Sequence, residues 1–453
     1  MSKTPTTRRP APSGTPTNRL SRRHLLAGLG GLGLGAALGP LRIRAVQPAY
    51  AQGTVPPRNL IVVWANGGWD TTFALDPKLD VQEIEGPEAA DPDGNEDTAT
   101  YGTNMVVGVN HVTRPSIRTF FDNWGDRCSI LNGISTGSVA HDPSRMRILT
   151  GEGAPGRADI SVIAGSIHGA SRPLGSIDMS GYSIAGPLGA TAGRIGVNSQ
   201  LKALTNPSAA FQAPADLGRD YPLFEASSDQ RASVQAILDA RVERLRALRG
   251  GVEANDKKLD DLVESALRAE RLMADGRSTI DQLELGKSPG YLGSLPLAVD
   301  FISRGVCSSV FVDTSSRWDT HTGNASQHEL HEDLFYGLDA LAQLLDDAGR
   351  WDDTVVLVLS EMTRTPKVNA SFGKDHWPYT SALVFGAGVK PGFSFGGTNN
   401  LLEARKMDFA TGEPTENGAI LEYDGFAASV LALLDVDPVP WFGDLPLFTA
   451  WRA

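Results

Sequence analysis

Carboxylate and imidazole side chains follow directly after several short apolar segments of the chain. Such groups can hold a divalent metal such as Zn²⁺, Mn²⁺ or Ca²⁺, or act as acids, bases and nucleophiles. A single Asp after a strand usually caps a turn or a helix, and a single His usually makes structural hydrogen bonds. The pattern recurs after separated segments, which turn formation alone does not require. The polar residues in these positions are Asp70, His141, Arg145, Asp319, His321, Glu361, Arg364, Asp375 and His376.

Five apolar runs bounded by turn residues are predicted to be buried strands. Helical periodicity occurs between them, over 116–124 and 330–348. Strands that alternate with helices predict an α/β fold, a three-layer αβα sandwich with a mostly parallel central sheet. Ligands of such sheets bind beyond the carboxyl ends of the strands, where these polar residues are expected to meet. The predicted strands cover 59–65, 128–134, 308–313, 354–360 and 381–385.

One region departs from the alternating pattern. Residues 229–276 are almost all helix formers with interleaved acidic and basic side chains, and the run is broken only at Gly250-Gly251. This pattern predicts a helical-pair insertion that lies over the sheet or caps a cleft. Because strands resume soon afterwards, we expect residues 52–453 to form a single domain.

The N-terminal segment has the composition of an export signal. A basic region ends in Ser21-Arg22-Arg23, a glycine-rich apolar run covers 25–38, and Ala49-Tyr50-Ala51 resembles a cleavage site. Paired arginines before the apolar run are typical of the twin-arginine (Tat) pathway. We therefore expect residues 1–51 to be a Tat signal peptide and the mature protein to be periplasmic or extracellular. An uncleaved anchor is the alternative, although the run is short for a span of about 20 residues.

The charge of the mature chain argues against nucleic acid as a partner. The first 51 residues hold eight basic and no acidic residues, which leaves 33 basic against 53 acidic residues and a formal net charge of −20. Such a surface repels nucleic acid and anionic lipid at long range. The mature chain contains no apolar stretch long enough for a transmembrane span. Its two cysteines, Cys128 and Cys307, are expected to be either a single bridge or two buried thiols.

Four motifs resemble a known protein family. They are Gly67-Gly68-Trp69-Asp70, Trp318-Asp319-Thr320-His321, the run from Ser360 to Pro366, and Asp375-His376-Trp377. Together they are similar to the Tat-exported family of the domain of unknown function 1501 (DUF1501), which belongs to the alkaline phosphatase-like and sulfatase-like superfamily. The resemblance runs from Asn59 to about Leu434 and implies an alkaline phosphatase-like fold.

A further segment resembles the sulfatase signature, in which a nucleophilic Cys or Ser precedes Pro-Ser-Arg and Leu-Thr-Gly. His141 takes the place of that nucleophile. Because formylglycine cannot be made from histidine, the resemblance excludes the usual sulfatase mechanism. The matching residues are Pro143, Ser144, Arg145, Leu149, Thr150 and Gly151.

The superfamily pattern implies a role for each matching residue. His141 and Arg145 are the implied catalytic residues, the first at the nucleophile position and the second at an anion-contacting position. Met362 replaces a usual histidine ligand, so one ligand is lost and a full two-metal centre is not expected. The implied metal ligands are Asp70, Asp319, His321, Glu361 and His376. The implied substrate contacts are Arg145, Arg364 and Asp375.

Two functions are compatible with this pattern, and the sequence does not decide whether the protein is an enzyme. The first is an exported metal-dependent hydrolase of a phosphate or sulfate ester, on a small molecule or a glycan, in which His141 or a metal activates the attacking group. The second is a non-catalytic envelope protein that binds an anionic glycan or a protein partner through the same cleft. The first hypothesis requires the implied ligands to converge within metal-ligand distances. The oligomeric state stays open.

Overall fold

A computed structural model describes residues 58–87, 97–109, 112–195, 228–252 and 288–453, together with parts of 255–280. The expected signal peptide over 1–51 lies outside the described residues. Of the expected helical pair, the first helix is described as Ser228–Arg249, and most of the second lies outside the described residues.

Short apolar runs form the strands, and amphipathic or apolar runs form the helices between them. All six residues of the first strand are buried. The strands are β1 Asn59–Trp64, β2 Asp97–Tyr101, β3 Met105–Val109, β4 Cys128–Ser135, β5 Ser176–Asp178, β6 Ala192–Arg194, β7 Ser309–Asp313, β8 Thr354–Leu359, β9 Thr363–Arg364, β10 His376–Trp377, β11 Tyr379–Gly386, β12 Phe393–Gly396 and β13 Leu421–Glu422. The helices are α1 Pro115–Trp124, α2 His141–Thr150, α3 Ile160–His168, α4 Ser228–Arg249, α5 Arg277–Ile280, α6 Gly290–Ser303, α7 Gln327–Asp347, α8 Tyr423–Leu433 and α9 Val439–Phe442.

The main sheet has nine strands within the described residues, in the order β12-β4-β11-β8-β1-β7-β5-β6, with β13 beside β4. β1 is parallel to both β7 and β8, and β5 is parallel to β6 and β7. β11 is antiparallel to both of its neighbours, while β12 and β13 are parallel to β4. The predicted mostly parallel sheet is therefore confirmed, with β11 as the one reversed strand in the described part.

Two apolar layers cover the two faces of this sheet. Alternate residues of β1 enter opposite layers, as Ile61 and Leu60 show. One layer holds side chains of α1, α6 and α7, and the other holds side chains of α2, α3 and α8. This arrangement is the predicted three-layer sandwich, and burial of both faces explains why the central strands are apolar throughout rather than alternating.

The two cysteines are buried as free thiols in this fold. Burial raises the pKa of the Cys307 thiol to about 12, which makes it a poor nucleophile. Among the residues that the structure describes, no helix is both long enough and apolar enough to cross a membrane.

A tight turn after β1 brings three loops together. Gly67 has a φ of +123°, and a Cβ at this position would lie 2.7 Å from the backbone nitrogen of Asp319 and 2.9 Å from that of Trp318. The backbone N–H of Gly67 donates to Oε1 of Glu361, 2.8 Å away, in the loop after β8. The missing side chain of Gly67 thus allows the loops after β1, β7 and β8 to meet at one edge of the sheet.

Replacement of Gly67 by alanine is expected to destabilise this meeting point. Gly67→Ala adds backbone strain of about 1–3 kcal/mol and a clash with the backbone of Asp319, so it should lower the free energy of unfolding measured by urea denaturation. Gly181→Ala is the matched control, because Gly181 also has a positive φ, +83°, but no atom within 4 Å of the added Cβ. Equal losses in the two variants would show that the close approach at Gly67 contributes nothing.

Candidate metal centre

Asp70 lies at the carboxyl end of β1 in a fully buried ion pair. Its Oδ2 is 2.8 Å from Nζ of Lys374, and neither side chain is exposed. Asn324 donates to the same oxygen at 2.9 Å, and Thr72 donates to Oδ1 at 2.6 Å through its hydroxyl. Burial by itself raises the pKa of Asp70, but the Lys374 ammonium and these hydrogen bonds outweigh it and hold the pKa below its usual 3.8. The positive charge next to Asp70 is thus supplied by the Lys374 side chain of the same chain.

Arg364 is buried and makes hydrogen bonds to three loops. Its Nε donates to the carbonyl of Gly68 at 2.7 Å, and its Nη1 donates to that of Lys374 at 3.1 Å. Its Nη2 lies against the carbonyl oxygens of Gly67 and Trp318 and donates to Oδ1 of Asp319 at 2.9 Å. The side chain has no exposed surface. The sequence predicted that Arg364 contacts a substrate, but the structure places it beneath the cleft, where it fixes the position of Asp319.

Three histidines surround the Asp319 carboxylate. Nε2 of His141 is 3.4 Å from Oδ2 of Asp319. Nε2 of His321 and Nε2 of His376 each lie 3.2 Å from Oδ1, and these two nitrogens are 2.9 Å apart. All four side chains keep part of their surface exposed, so the cluster is open to solvent.

The other ring nitrogen of each histidine has an acceptor of its own. Nδ1 of His141 donates to the buried Glu361 carboxylate at 2.9 Å, and Nδ1 of His321 donates to Asp375 at 2.8 Å. Nδ1 of His376 donates to the backbone carbonyl of Val139 at 2.6 Å. Carboxylate and carbonyl oxygens accept hydrogen bonds. These contacts therefore assign the proton of each neutral imidazole to Nδ1 and leave a lone pair on Nε2. Metal-ligating histidines are typically held by such contacts.

The lone pairs of the three Nε2 atoms and of the Asp319 carboxylate repel one another unless a positive charge lies between them. Three Nε2 atoms and one carboxylate face each other, and protons on the imidazoles or a divalent cation would balance them. The hydrogen bond to Glu361 raises the pKa of His141 above 6.5. Partial burial raises the pKa of Asp319, but the hydrogen bond from Arg364 and the contact with the His376 imidazole lower it to about 2. Asp319 is therefore an anion at every physiological pH.

The donor set has the composition and spacing of a metal site. Within the described residues, His141, Asp319 and His376 form the group whose ligand atoms all lie within 4.8 Å of one another. Zn²⁺ ligands lie ~2.0–2.1 Å from the ion, so the donor atoms of a tetrahedral site are about 3.3 Å apart. Nε2 of His376 is 3.2 Å from Oδ1 of Asp319 and Nε2 of His141 is 3.4 Å from Oδ2, so each carboxylate oxygen has one imidazole nitrogen close to that spacing. These residues fit a divalent ion that accepts nitrogen and oxygen ligands.

A cleft of about 440 Å³ opens beside this cluster, and His141 and Asp319 form part of its wall. It contains Arg145, which forms a 2.9 Å ion pair with Asp142 and lies over the Tyr182 ring, 5.3 Å from its centroid. Ser315 in the wall has a φ of +59°, an unusual backbone conformation of the kind found at functional sites. The remaining wall residues are Asn66, Gly67, Asp313, Ser316 and Arg317.

The structure sorts the residues predicted from the sequence into three groups. His141, Asp319, His321 and His376 come together, with Glu361 and Asp375 as hydrogen-bond partners of two of the imidazoles. Arg145 lies in the adjoining cleft. Asp70 and Arg364 lie in buried interactions outside the group of close ligand atoms. The convergence expected of all implied ligands is therefore met only in part, because Asp70 is bound to Lys374 and Glu361 to the far side of the His141 ring.

Four polar residues of the region carry no role in the sequence pattern: Lys374, Asp313, Arg317 and Tyr182. Asp313 lies at the end of a predicted strand, and an acidic residue near a strand end is the signal that identified Asp70. The same signal could have identified Asp313. Lys374 directly precedes the Asp375-His376 motif. Nothing in the sequence distinguishes Tyr182, because helix α2 and the loop after β5 meet only in the folded chain.

Comparison with known proteins gives one family match. The sequence model described as "Protein of unknown function (DUF1501)" matches residues 57–411 of this chain. No curated protein matches the chain in sequence.

Several solved structures are similar to the chain at low identity. One is a protein in the alkaline phosphatase superfamily from Vibrio parahaemolyticus, with 11% identity, coverage of 93% of this chain and 79% of that chain, and a TM-score of 0.34. Another is the lipoteichoic acid synthase LtaP from Listeria monocytogenes, with 12% identity, coverage of 89% and 78%, and a TM-score of 0.33. A third is the phosphonate monoester hydrolase of Agrobacterium radiobacter, with 11% identity, coverage of 87% and 79%, and a TM-score of 0.31. Similarity at this level carries no information about the reaction or the ligand of this chain.

Removal of the Lys374 ammonium is expected to destabilise the protein strongly. Lys374→Met leaves the Asp70 carboxylate buried without its cation, which costs roughly 3–5 kcal/mol of the free energy of unfolding. Because the folded pKa of Asp70 lies below 3.8, the pair contributes stability above that pH and loses it as the pH falls through the folded pKa. Urea denaturation at pH 7 and pH 3 would measure both effects.

The double variant Asp70→Asn/Lys374→Met is the control, because it removes both charges together. It should recover part of the stability lost in Lys374→Met. A double variant as unstable as the single one would show that the charge pair is not the cause.

Proposed function

We propose that this protein, which belongs to the DUF1501 family, is an exported metal-dependent hydrolase that acts on an anionic ester of the phosphate or sulfate class. The observation that supports it best is the convergence of three imidazole Nε2 atoms on Asp319 at the wall of a cleft that also holds arginine side chains. The proposed export rests on the basic, twin-arginine N-terminal segment.

His141, Asp319 and His376 would hold one divalent ion, with His321 beside them. Such an ion would supply Lewis-acid activation of water and charge stabilisation for the ester oxygens. Glu361 keeps the His141 ring in the orientation that turns Nε2 toward Asp319, and Val139 does the same for His376 through its carbonyl. We therefore assign His141 to the metal rather than to a nucleophilic role.

The cleft supplies the positive charge that an anionic ester needs. Arg145 and Arg317 both lie in its wall. Among the described residues, Nε of Arg145 has no hydrogen-bond partner although it is buried. The Arg145 side chain is 25% exposed, so its guanidinium can bind a phosphate or sulfate oxygen in addition to Asp142. Arg145 and Arg317 would therefore hold the anionic group next to the metal.

The Asp70–Lys374 pair favours a centre with one metal. An ion beside Asp70 would have to displace a buried ammonium that lies 2.8 Å from the carboxylate. At Asp319 the buried guanidinium of Arg364 binds Oδ1 and leaves Oδ2, next to His141, for an ion. The lysine next to Asp70 also supports the second hypothesis, a non-catalytic protein that binds an anionic glycan or protein partner. A binding protein needs the cleft but not a complete catalytic centre.

Metal content tests the proposed centre. The purified protein should contain about one Zn²⁺ or Mn²⁺ per chain by elemental analysis, since three protein ligands and one open position are usual for a catalytic site. His141→Ala and His376→Ala should each lose most of the metal because each removes a ligand. His168→Ala is the matched control, since His168 bonds to the Leu434 carbonyl away from the cluster. Metal loss in the control, or full metal in both cluster variants, would contradict the assignment.

Turnover separates the two functions. The metal-loaded protein should hydrolyse aryl phosphates or aryl sulfates, and His376→Ala should lower kcat/KM by about 100-fold or more because the ion no longer activates water. Arg145→Ala should mainly raise KM, since the guanidinium holds the anionic group in both ground and transition states. Stoichiometric metal and tight binding of a sulfated glycan with no turnover of either ester class would instead establish the binding function.

A further inference from the structure

Asp313 is a carboxylic acid in the cleft that the proposed metal centre does not use. It is the last residue of β7, and it pairs in register with Trp64 of β1. It lies in the same cleft wall as His141 and Asp319. It therefore stands at the carboxyl edge of the sheet, where ligands of α/β proteins bind.

The Asp313 carboxyl group is mostly buried and poorly satisfied. Among the described residues, its Oδ1 has no hydrogen-bond partner. Backbone N–H groups of Ser315 and Thr314 are the groups that stabilise its charge. A buried carboxylate without a cation is costly, so the neutral acid is the favoured form.

The groups around Asp313 strengthen this preference. Burial raises the pKa of Asp313 to about 7, and the negative charges of Glu361 and Asp178 add to the effect. Asp178 is itself paired with Arg194 at 2.7 Å. Tyr182, from the loop after β5, also faces Asp313, and burial raises the pKa of its hydroxyl. The charged groups of the shared cleft wall are His141, Asp142, Arg145, Arg317 and Asp319.

The loop after Asp313 holds it in place. Ser315 adopts a φ of +59°, an uncommon backbone conformation for a serine. Thr314 donates its backbone N–H to the carbonyl of Trp64 at 3.1 Å, which ties the start of the loop to β1. The loop is thus tied to β1 at its first residue and adopts a positive φ at its second, next to an acid whose Oδ1 has no hydrogen-bond partner among the described residues.

We propose that Asp313 is the general acid that protonates the leaving group of the ester. This assignment rests on the proposed hydrolase function and adds a catalytic residue to it. General acids work best when about half of them carry a proton at the working pH. Asp319 is not available for this role, because its carboxylate would bind the metal ion.

The proposed step is balanced in atoms and charge. The bond between the ester oxygen and phosphorus or sulfur breaks, and its electron pair stays on the departing oxygen. Asp313 gives its proton to that oxygen, which leaves as an alcohol, and becomes a carboxylate. Water supplies the oxygen that phosphorus or sulfur gains and releases one proton to solvent, from which the carboxylate regains a proton.

A leaving-group series tests this role. Asp313→Asn should reduce kcat/KM for alkyl esters by about 100-fold or more, the usual contribution of general acid catalysis. It should reduce kcat/KM for p-nitrophenyl esters by less than about tenfold, because p-nitrophenolate leaves without a proton. Asp142→Asn is the matched control, since Asp142 is another carboxylate in the wall of the same cleft and should change both ester types by the same factor. An Asp313→Asn effect that is equal for both ester types would overturn the assignment.

A stability measurement tests the protonation of Asp313 without turnover. The folded protein keeps the proton up to a pKa of about 7, whereas the unfolded chain ionises near 3.8. The ionisation of Asp313 in the unfolded chain therefore lowers the free energy of unfolding of the wild type as the pH rises from 4 to 7. Asp313→Asn has no such proton to lose, so its Tm should exceed that of the wild type by an amount that grows from pH 4 to pH 7 and is constant above. A Tm difference independent of pH would overturn the proposal.

The outcomes distinguish this proposal from the proposed function. Wild-type protein that hydrolyses neither ester class would overturn both. Hydrolysis with equal losses on alkyl and p-nitrophenyl esters in Asp313→Asn would overturn only the role of Asp313. Metal content of Asp313→Asn should equal that of the wild type, which excludes loss of the metal centre as the cause of a lower rate.

Discussion

The buried guanidinium of Arg364 is the interaction on which the strand-end region depends. It joins the carbonyl groups of the β1 loop and the β7 loop, and that of Lys374, to the carboxylate of Asp319. Its planar set of donors bonds to buried carbonyl oxygens of these loops, two of which also accept from Gln327, and a buried carbonyl without any partner would cost about 1–3 kcal/mol. Since Asp319 receives one of these donors, the position of the carboxylate at the centre of the histidine cluster is fixed from below. Gly67 makes this possible, because a side chain there would push the two loops apart.

Four carboxylates at this edge of the sheet have different environments, and the environment decides what each can do. Asp70 is paired with a buried ammonium and is structural. Glu361 is buried against His141 and orients its ring. Asp319 is kept ionised by Arg364 and faces three imidazoles. Asp313 faces other negative groups without a cation and keeps its proton near neutral pH. Separate acid and base behaviour at one pH arises from such differences in solvation and neighbouring charge.

The proposed metal centre and the proposed export are compatible with each other. The Nδ1 contacts hold the rings in place before any ligand binds, so the site is preorganised and the cost of ordering it is part of folding. A metal bound to such a site stabilises the folded state over the unfolded state. The twin-arginine segment is compatible with this property, since that pathway carries folded proteins and an ion loaded before export would remain bound.

The sequence by itself determined five of the nine described strands of the main sheet, its mostly parallel character, the family and the set of residues at the strand ends. Apolar runs bounded by turns have few alternatives to buried strands, and the residue after a parallel strand must lie at the carboxyl edge. It also placed Asp319, His321 and His376 at that edge. It could not decide which carboxylate faces a cation within the chain, because Lys374 is 304 positions from Asp70 and its ammonium reaches that carboxylate only after folding. Nor could it show that the Arg364 side chain is buried, or that Oδ1 of Asp313 lacks a hydrogen-bond partner among the described residues. Burial, charge pairing and loop contacts are properties of the tertiary structure, and they set the role of each of these side chains.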